Sequence, residues 1–275
     1  QPEEAEPMTE AQPFEELIKL QSVNDTHYQW DVPDAWQQGR GAFGGLVLAA
    51  TVSALEAAHG AHDPADRTLR TLTSMLCGPV YPVRSDFELE HVREGSNTST
   101  WHARQRQLDD GEVKSETIAL FASDRAEDAT WDELQVPQVT SWQDLPPIPI
   151  APPLAPAFSQ HMEYRTDDAI PMMMQKEVHT THGWVRHKNP PARANLAYIA
   201  MLMDAWWPCA LLTSTRPRPV ATVSFTMQFL LDPARIDTTR PLCYRAAMPI
   251  CVRGYGVEFR ELWTPEGELV ALNQQ

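Results

Sequence analysis

Two runs in this chain are apolar enough, and long enough, to be helices buried on every side. One is Leu46-Val47-Leu48-Ala49-Ala50-Thr51-Val52-Ser53-Ala54-Leu55-Glu56-Ala57-Ala58, closed by Gly60. The other starts at Ala194 and reads Ala-Asn-Leu-Ala-Tyr-Ile-Ala-Met-Leu-Met up to Asp204. A helix without a polar face cannot sit at a surface. It needs a sheet that wraps it. Asp204 is the only acid in the second run. An ionised carboxylate there costs several kcal/mol unless it is paired or hydrogen-bonded. It also faces the negative end of the helix dipole, which favours its neutral form. Pro208 has no N–H for the Asp204 carbonyl, so a helix over about 194–213 should stop or kink there. Such an acid is either catalytic or satisfied by nearby backbone N–H groups or an arginine.

Strands surround both runs. Phe14 to Gln21 reads as a short helix or turn, leading into an extended stretch at Tyr28 to Val32. After the first helix, expected at 44–59, come Arg70 to Val80, Ser85 to Val92, Thr98 to Gln107 and Val113 to Ser123. Asp109-Asp110-Gly111 makes the last hairpin turn. Residues 126–160 hold seven prolines and read as a linker with extended segments. Then the order repeats: an extended stretch from Met172 to His187, the Asp204 helix, and Val220 to Leu231, Leu242 to Val252, Tyr255 to Thr264 and Glu268 to Gln275. The expected fold is α+β, with two repeats, each a central helix wrapped by an antiparallel sheet: a double hotdog. The expected boundaries are 14–125 for the first repeat, 126–163 for the linker and 164–275 for the second.

The composition narrows the function. A net charge of -15 disfavours nucleic acid and anionic membrane surfaces as partners. No apolar run reaches the 18 residues or more of a membrane span. The acidic opening Gln-Pro-Glu-Glu-Ala-Glu-Pro is unlike a signal peptide; residues 1–13 are expected to be disordered, and those before Met8 to be a processed or added remnant. Cys77, Cys209, Cys243 and Cys251 lack zinc-site spacing and read as reduced core thiols of a cytoplasmic protein.

Four motifs carry a family resemblance. They are Gly39-Arg40-Gly41-Ala42-Phe43-Gly44-Gly45 before the first helix and Val92-Arg93-Glu94-Gly95-Ser96-Asn97-Thr98-Ser99-Thr100 with Gln107 and the Asp110-Gly111 turn. The others are Met203-Asp204 with Ala221-Thr222-Val223, and Leu269-Val270-Ala271 with Gln275. Over about residues 14–275 the chain resembles the double-hotdog acyl-CoA thioesterases of the bacterial thioesterase II type. The resemblance implies hydrolysis of an acyl-CoA by a water that Asp204, Thr222 and Gln275 hold and activate, with Gln274 an alternative to Gln275. It departs at Ser224, where the family has an acid two residues after the threonine. It also implies a homodimer or larger assembly, and no metal or cofactor.

The residue types suit the chemistry. A buried Asp can take a proton from water near neutral pH. Thr and Gln can aim that water without competing as bases. The Gly44 and Gly45 N–H groups at a helix start can hold an oxyanion, although close packing alone also explains the glycines. Arg186, Lys188 and Arg193 form a local basic cluster that can meet coenzyme A phosphates. Met172-Met173-Met174 can line an acyl tunnel or simply fill the core. His179, His182 and His187 lack the geometry of a metal site. Strand 220–231 sets Thr222 on the face opposite Phe225 and Met227, so Thr222 meets Asp204 only if the strand bends or the site lies between the repeats; the second is the expected solution. Two other functions fit the fold. A non-catalytic acyl-binding protein differs only in lacking turnover. A dehydratase or hydratase is disfavoured, since Asn189-Pro190 is followed by Pro191-Ala192 rather than by the histidine such a motif needs.

Overall fold

In the computed structural model, which describes residues 12–275 except 63–66, 108, 110, 127–130, 151, 154, 172–176, 215 and 217, both apolar runs form central helices. The first repeat comprises α1 (Phe14–Leu17), β1 (Leu20–Asn24), β2 (His27–Asp31), the two-residue strands β3 (Gln37–Gln38) and β4 (Gly41–Ala42), α2 (Gly44–His62), β5 (Thr68–Leu76), β6 (Arg84–Glu94), β7 (Thr98–Gln107) and β8 (Val113–Ala122). The second comprises β9 (Met162–Arg165), β10 (Thr180–His187), α3 (Leu196–Met203), β11 (Ser224–Phe229), β12 (Leu242–Val252), β13 (Tyr255–Trp263) and β14 (Leu269–Gln274). The expectation for Met172–Met174 lies outside the described residues, as do those for residues 1–11 and the Asp110 turn position.

Twelve strands make one antiparallel sheet in the order β1-β2-β6-β7-β8-β5-β11-β14-β13-β12-β10-β9. The order reads as two copies of one pattern joined at β5 and β11, where Thr73 pairs with Thr226. The copies share their irregularities too. Register shifts fall between His91 and Arg93 and between Ala247 and Ile250, and again at Gln105/Arg106 and Leu262/Trp263. One sequence offset carries β6 and β7 onto β12 and β13 with both shifts in register, so the repeats are related by a pseudo-twofold axis between β5 and β11.

Period-two alternation places the strands. On β7, Ser99, Trp101, Ala103, Gln105 and Gln107 are buried against α2 while their neighbours are more exposed. On α3 every residue is buried. Ile199, Met201, Leu202 and Met203 contribute roughly 1.5–3 kcal/mol each, which outweighs the several kcal/mol of one buried carboxylate. The linker is no free tether. Val139, Trp142 and Leu145 pack on Trp184, Cys243 and Trp263, and Arg165 donates to the Trp142 and Leu145 carbonyls at 3.0 and 2.8 Å.

Several boundaries differ from the sequence reading. α2 runs past Gly60 to His62, and β1 forms where a turn was expected. α3 stops at Met203 rather than running to 213. Its last carbonyl, Met203 O, takes side-chain donors in place of a helical N–H: Arg260 Nη1 at 3.3 Å and the Tyr244 hydroxyl at 3.4 Å, while Ala205 O, just past the helix, accepts from Tyr164 at 2.8 Å. Tyr255–Trp263 keeps its expected range, but Glu258 and Arg260 face inward and Phe259 outward. Cys209 and Cys243 are buried, whereas Cys77 and Cys251 are exposed, so only two of the four are core thiols; none of the four is in a disulfide.

The two helices touch where α2 begins. A Cβ on Gly45 would lie 2.7 Å from the Met201 carbonyl oxygen and 2.3 Å from the Phe43 ring. The first is backbone, and Phe43 is stacked on Phe158 at 3.9 Å, so neither neighbour can move aside. Gly45→Ala should therefore destabilise the fold by about 1–3 kcal/mol, as overpacking does. Thermal unfolding should show a midpoint several degrees lower; an unchanged midpoint would mean the helices can separate freely.

Candidate active site

Asp204 is the C-terminal cap of α3, with φ -100° and ψ 0°. Its side chain is only 9% exposed and points at the start of α2. The Gly45 N–H donates to its carboxylate, and a Cβ on Gly44 would stand 2.8 Å from Oδ2. Only a residue without a side chain lets the carboxylate come this close. The site thus lies between the repeats, with the acid from one helix and the backbone donor from the other.

Arg260 and Glu258 complete the charge balance, and the sequence reading did not single them out. Arg260 is 3% exposed; its Nε meets Glu258 Oε1 at 2.6 Å and its Nη1 meets Asp204 Oδ1 at 3.3 Å. Glu258 Oε2 also accepts from the Cys209 N–H at 2.8 Å. One cation serves two carboxylates, and Glu258 holds it more closely. Burial pushes the Asp204 carboxyl up to about 6, against the pull of Arg260 and the Gly45 N–H, while the Glu258 charge pushes the same way as burial. The legible signal was an acid and a base two apart on one strand face.

Gln275 sits among Arg260, Thr222 and Asp204. With its amide oxygen toward the guanidinium, 2.6 Å from Nε and 2.8 Å from Nη1, its NH2 donates to Thr222 Oγ1 at 2.8 Å. The reverse orientation would let Thr222 donate to the amide oxygen but set the NH2 against the guanidinium, donor to donor, although that NH2 would then also reach Asp204. The first orientation satisfies more groups. It leaves the Thr222 hydroxyl hydrogen free to donate into the site. Thr222 reaches Gln275 because the chain has left the strand: β11 starts at Ser224, and Val223 is 52% exposed where the alternation would bury it. The chain thus bends out of the strand at Thr222, whose hydroxyl meets Gln275. Gln274 instead takes a ladder position opposite Thr226 and Phe259 and is exposed.

The remaining expected site residues are more dispersed. Gly45 gives its N–H to Asp204, so it is not a free oxyanion donor; the Gly44 N–H has no acceptor among the described residues. Arg186 is engaged by Glu163 Oε2 at 2.8 Å and the Thr239 carbonyl at 2.9 Å, away from Asp204. Lys188 is exposed and donates to the Gln160 carbonyl at 2.7 Å. Two residues from Gln160, Phe158 stacks on Phe43, which precedes Gly44. A cavity of about 1140 Å³ lies elsewhere, toward the other ends of the two helices. At Asp204, by contrast, a desolvated acid and hydrogen-bond donors converge.

The architecture and this inter-repeat acid define a double-hotdog protein. Residues 32–122 match the acyl-CoA thioesterase N-terminal domain and residues 142–275 the acyl-CoA thioesterase C-terminal domain, so the chain belongs to the acyl-CoA thioesterase family. No curated protein matches it. Among solved structures, a hotdog-fold protein of unknown function from Alicyclobacillus acidocaldarius is 26% identical, with TM-score 0.82 over 95% of this chain and 96% of that one. A putative thioesterase II from Thermobifida fusca is 16% identical, with TM-score 0.79 over 98% of each chain. An acyl-CoA thioesterase II from Mycobacterium marinum is 19% identical, with TM-score 0.72 over 95% and 96%. Among the described residues no helix is long and apolar enough to cross a membrane.

The charge arrangement has a pH signature. Asp204 holds its proton more tightly in the folded chain than in the unfolded one, where it titrates near 4. Its stabilising contribution is complete below about pH 4 and is lost as pH rises to about 6, on the order of 3 kcal/mol. Denaturant titrations across that window should show the slope in the unmutated chain and a smaller one in Asp204→Asn, where Glu56, pushed up to about 7 by burial, still titrates in the same direction. Glu258→Gln frees Arg260 for Asp204, so the Asp204 pKa should fall by about one unit. NMR titration of the Asp204 carboxyl would show this; an unmoved pKa would mean that Glu258 does not set it.

Proposed function

We propose that this protein hydrolyses an acyl-CoA to the free acid and coenzyme A, with Asp204 as general base. The carrying observation is the buried Asp204 carboxyl, raised to about 6 and set between the start of α2, Arg260 and the Thr222–Gln275 pair. A base must be deprotonated at working pH yet basic enough to take a proton, and a carboxyl near 6 meets both needs better than one near 4.

A water between Asp204 and Thr222 gives a proton to the carboxylate as its oxygen bonds to the thioester carbon. Thr222 donates to that water, and Gln275 fixes Thr222 by donating to its Oγ1. The carbonyl oxygen becomes an oxyanion, which the Gly44 N–H at the positive end of α2 stabilises. Collapse of the intermediate breaks the carbon–sulfur bond, and the proton on Asp204 passes to the leaving thiolate. Arg260 touches no reacting atom; it holds Asp204 and Gln275 in place and keeps the paired charges near balance. Lys188, exposed and tied only to a carbonyl, is the cation assigned to the coenzyme A phosphates. Arg186 is held by Glu163 and the Thr239 carbonyl, so Lys188 rather than Arg186 is given that role.

Asp204→Asn keeps the shape of the side chain and removes the base. Turnover should fall about a hundred- to ten-thousandfold, with little change in substrate affinity. Stability near neutral pH should hold or rise, because Arg260 keeps Glu258 and a buried acid is gone. Release of free thiol from an acyl-CoA chain-length series measures both the activity and its range. Unchanged turnover in Asp204→Asn would make Asp204 structural. Binding of acyl-CoA by the unmutated chain without thiol release would make the protein an acyl carrier.

A further inference from the structure

The pseudo-twofold axis gives every residue of the Asp204 site a counterpart. The offset that superposes the strand irregularities carries Arg260 onto Ala103 and Glu258 onto Trp101. Glu258 pairs with Gln275 as Trp101 pairs with Ala119, so Gln275 maps onto Ala119. Leu69 precedes Thr73 by the interval that separates Thr222 from Thr226, and Val52 follows Gly44 by the interval that separates Asp204 from Leu196. The counterparts Val52, Leu69, Trp101, Ala103 and Ala119 are all apolar and buried. These counterpart positions hold no acid, no arginine and no water-aiming pair; the acid nearest them on α2, Glu56, lies four residues beyond Val52.

Its mouth is still open. The cavity of about 1140 Å³ is bounded by Glu56 on α2, by the Arg193–Leu196 approach to α3, by the start of β5 and by the residues after β11. Those are the twofold images of the elements around Asp204. The size exceeds the roughly 300–1,000 Å³ of ordinary ligand pockets. Leu196 and Phe229 supply apolar wall, while Arg70, Arg125 and Arg193 stand around it. Arg70 is held by Asp124, but Arg125 and Arg193 are exposed and meet no carboxylate among the described residues. The lining is mixed: its carboxylates are Asp124, held by Arg70, Asp232, which accepts from the Ala234 N–H, and Glu56, whose carboxyl burial pushes up to about 7. An apolar wall beside those two guanidinium groups without carboxylate partners suits an apolar chain with an anionic head.

We infer that this cavity is a second, non-hydrolysing site that binds an acyl chain carrying an anionic head group, of the same class as the substrate or product of the Asp204 site. The inference rests on the hydrolase reading for that ligand class. It does not rest on it for the cavity or for the absence of an acid at the counterpart positions, which the register alone shows. The two sources of such a ligand, thioester and free acid, are separable by probe.

Calorimetric titration should use an S-alkyl thioether of coenzyme A, which cannot be hydrolysed, and the carboxylic acid of equal chain length. At least one should saturate at two equivalents per chain, and that one names the source. In Arg125→Glu the second equivalent should weaken at least tenfold. Ala194→Trp, which fills the cavity without changing charge, should abolish it. Both variants should keep the turnover of the unmutated chain, since neither touches Asp204. Saturation of both probes at one equivalent while acyl-CoA is still hydrolysed would overturn the inference and leave the hydrolase reading standing. Two equivalents that survive in both variants would overturn the location. Two equivalents without any hydrolysis would keep the cavity and remove the hydrolase reading; no hydrolysis and no binding would remove both.

Discussion

The close contact of α2 with α3 is the constraint on which the rest depends. Two helices without polar faces can be buried together only if one sheet covers both, and twelve strands do so. Where the helices meet, Gly45 lies against the Met201 carbonyl. That approach puts the positive end of one helix dipole beside the carboxylate at the C-terminal end of the other. Neither repeat alone contains both parts. The duplication creates a seam, and the seam is where a buried acid can be tolerated.

Arg260 makes that tolerance adjustable. A single buried cation shared by two acids leaves one of them short of compensation, and distance decides which: Glu258 at 2.6 Å against Asp204 at 3.3 Å. The raised Asp204 pKa thus follows from competition as well as burial. A fully paired Asp204 would be a weaker base, and an unpaired one would stay protonated at neutral pH. The same guanidinium fixes the Gln275 amide and, through it, Thr222. One strand face therefore organises the whole site.

The pseudo-twofold axis also shows how little separates a site from its absence. The two halves keep matching strand irregularities, yet five counterpart positions are apolar. Apolar residues at those positions need no partner and carry no desolvation cost. A charged network is stable there only when all its members are present.

The sequence by itself determined the fold class. Two all-round apolar helices and two sets of alternating strands leave few other ways to bury that surface. It also marked Asp204, because a lone acid in an apolar run must be compensated. Strand ranges such as Thr98–Gln107 and Leu242–Val252 were legible because period-two alternation is a local property. The end of α3 was not, because Tyr244 and Arg260, distant in sequence, supply the donors to its last carbonyl. Nor were the partners of Asp204 or the inward turn of Glu258 and Arg260, since two charges on a strand look exposed until each is seen to satisfy the other. Only the tertiary structure could decide which of two carboxylates holds the arginine, and that choice is set by tenths of an ångström between segments far apart in the chain.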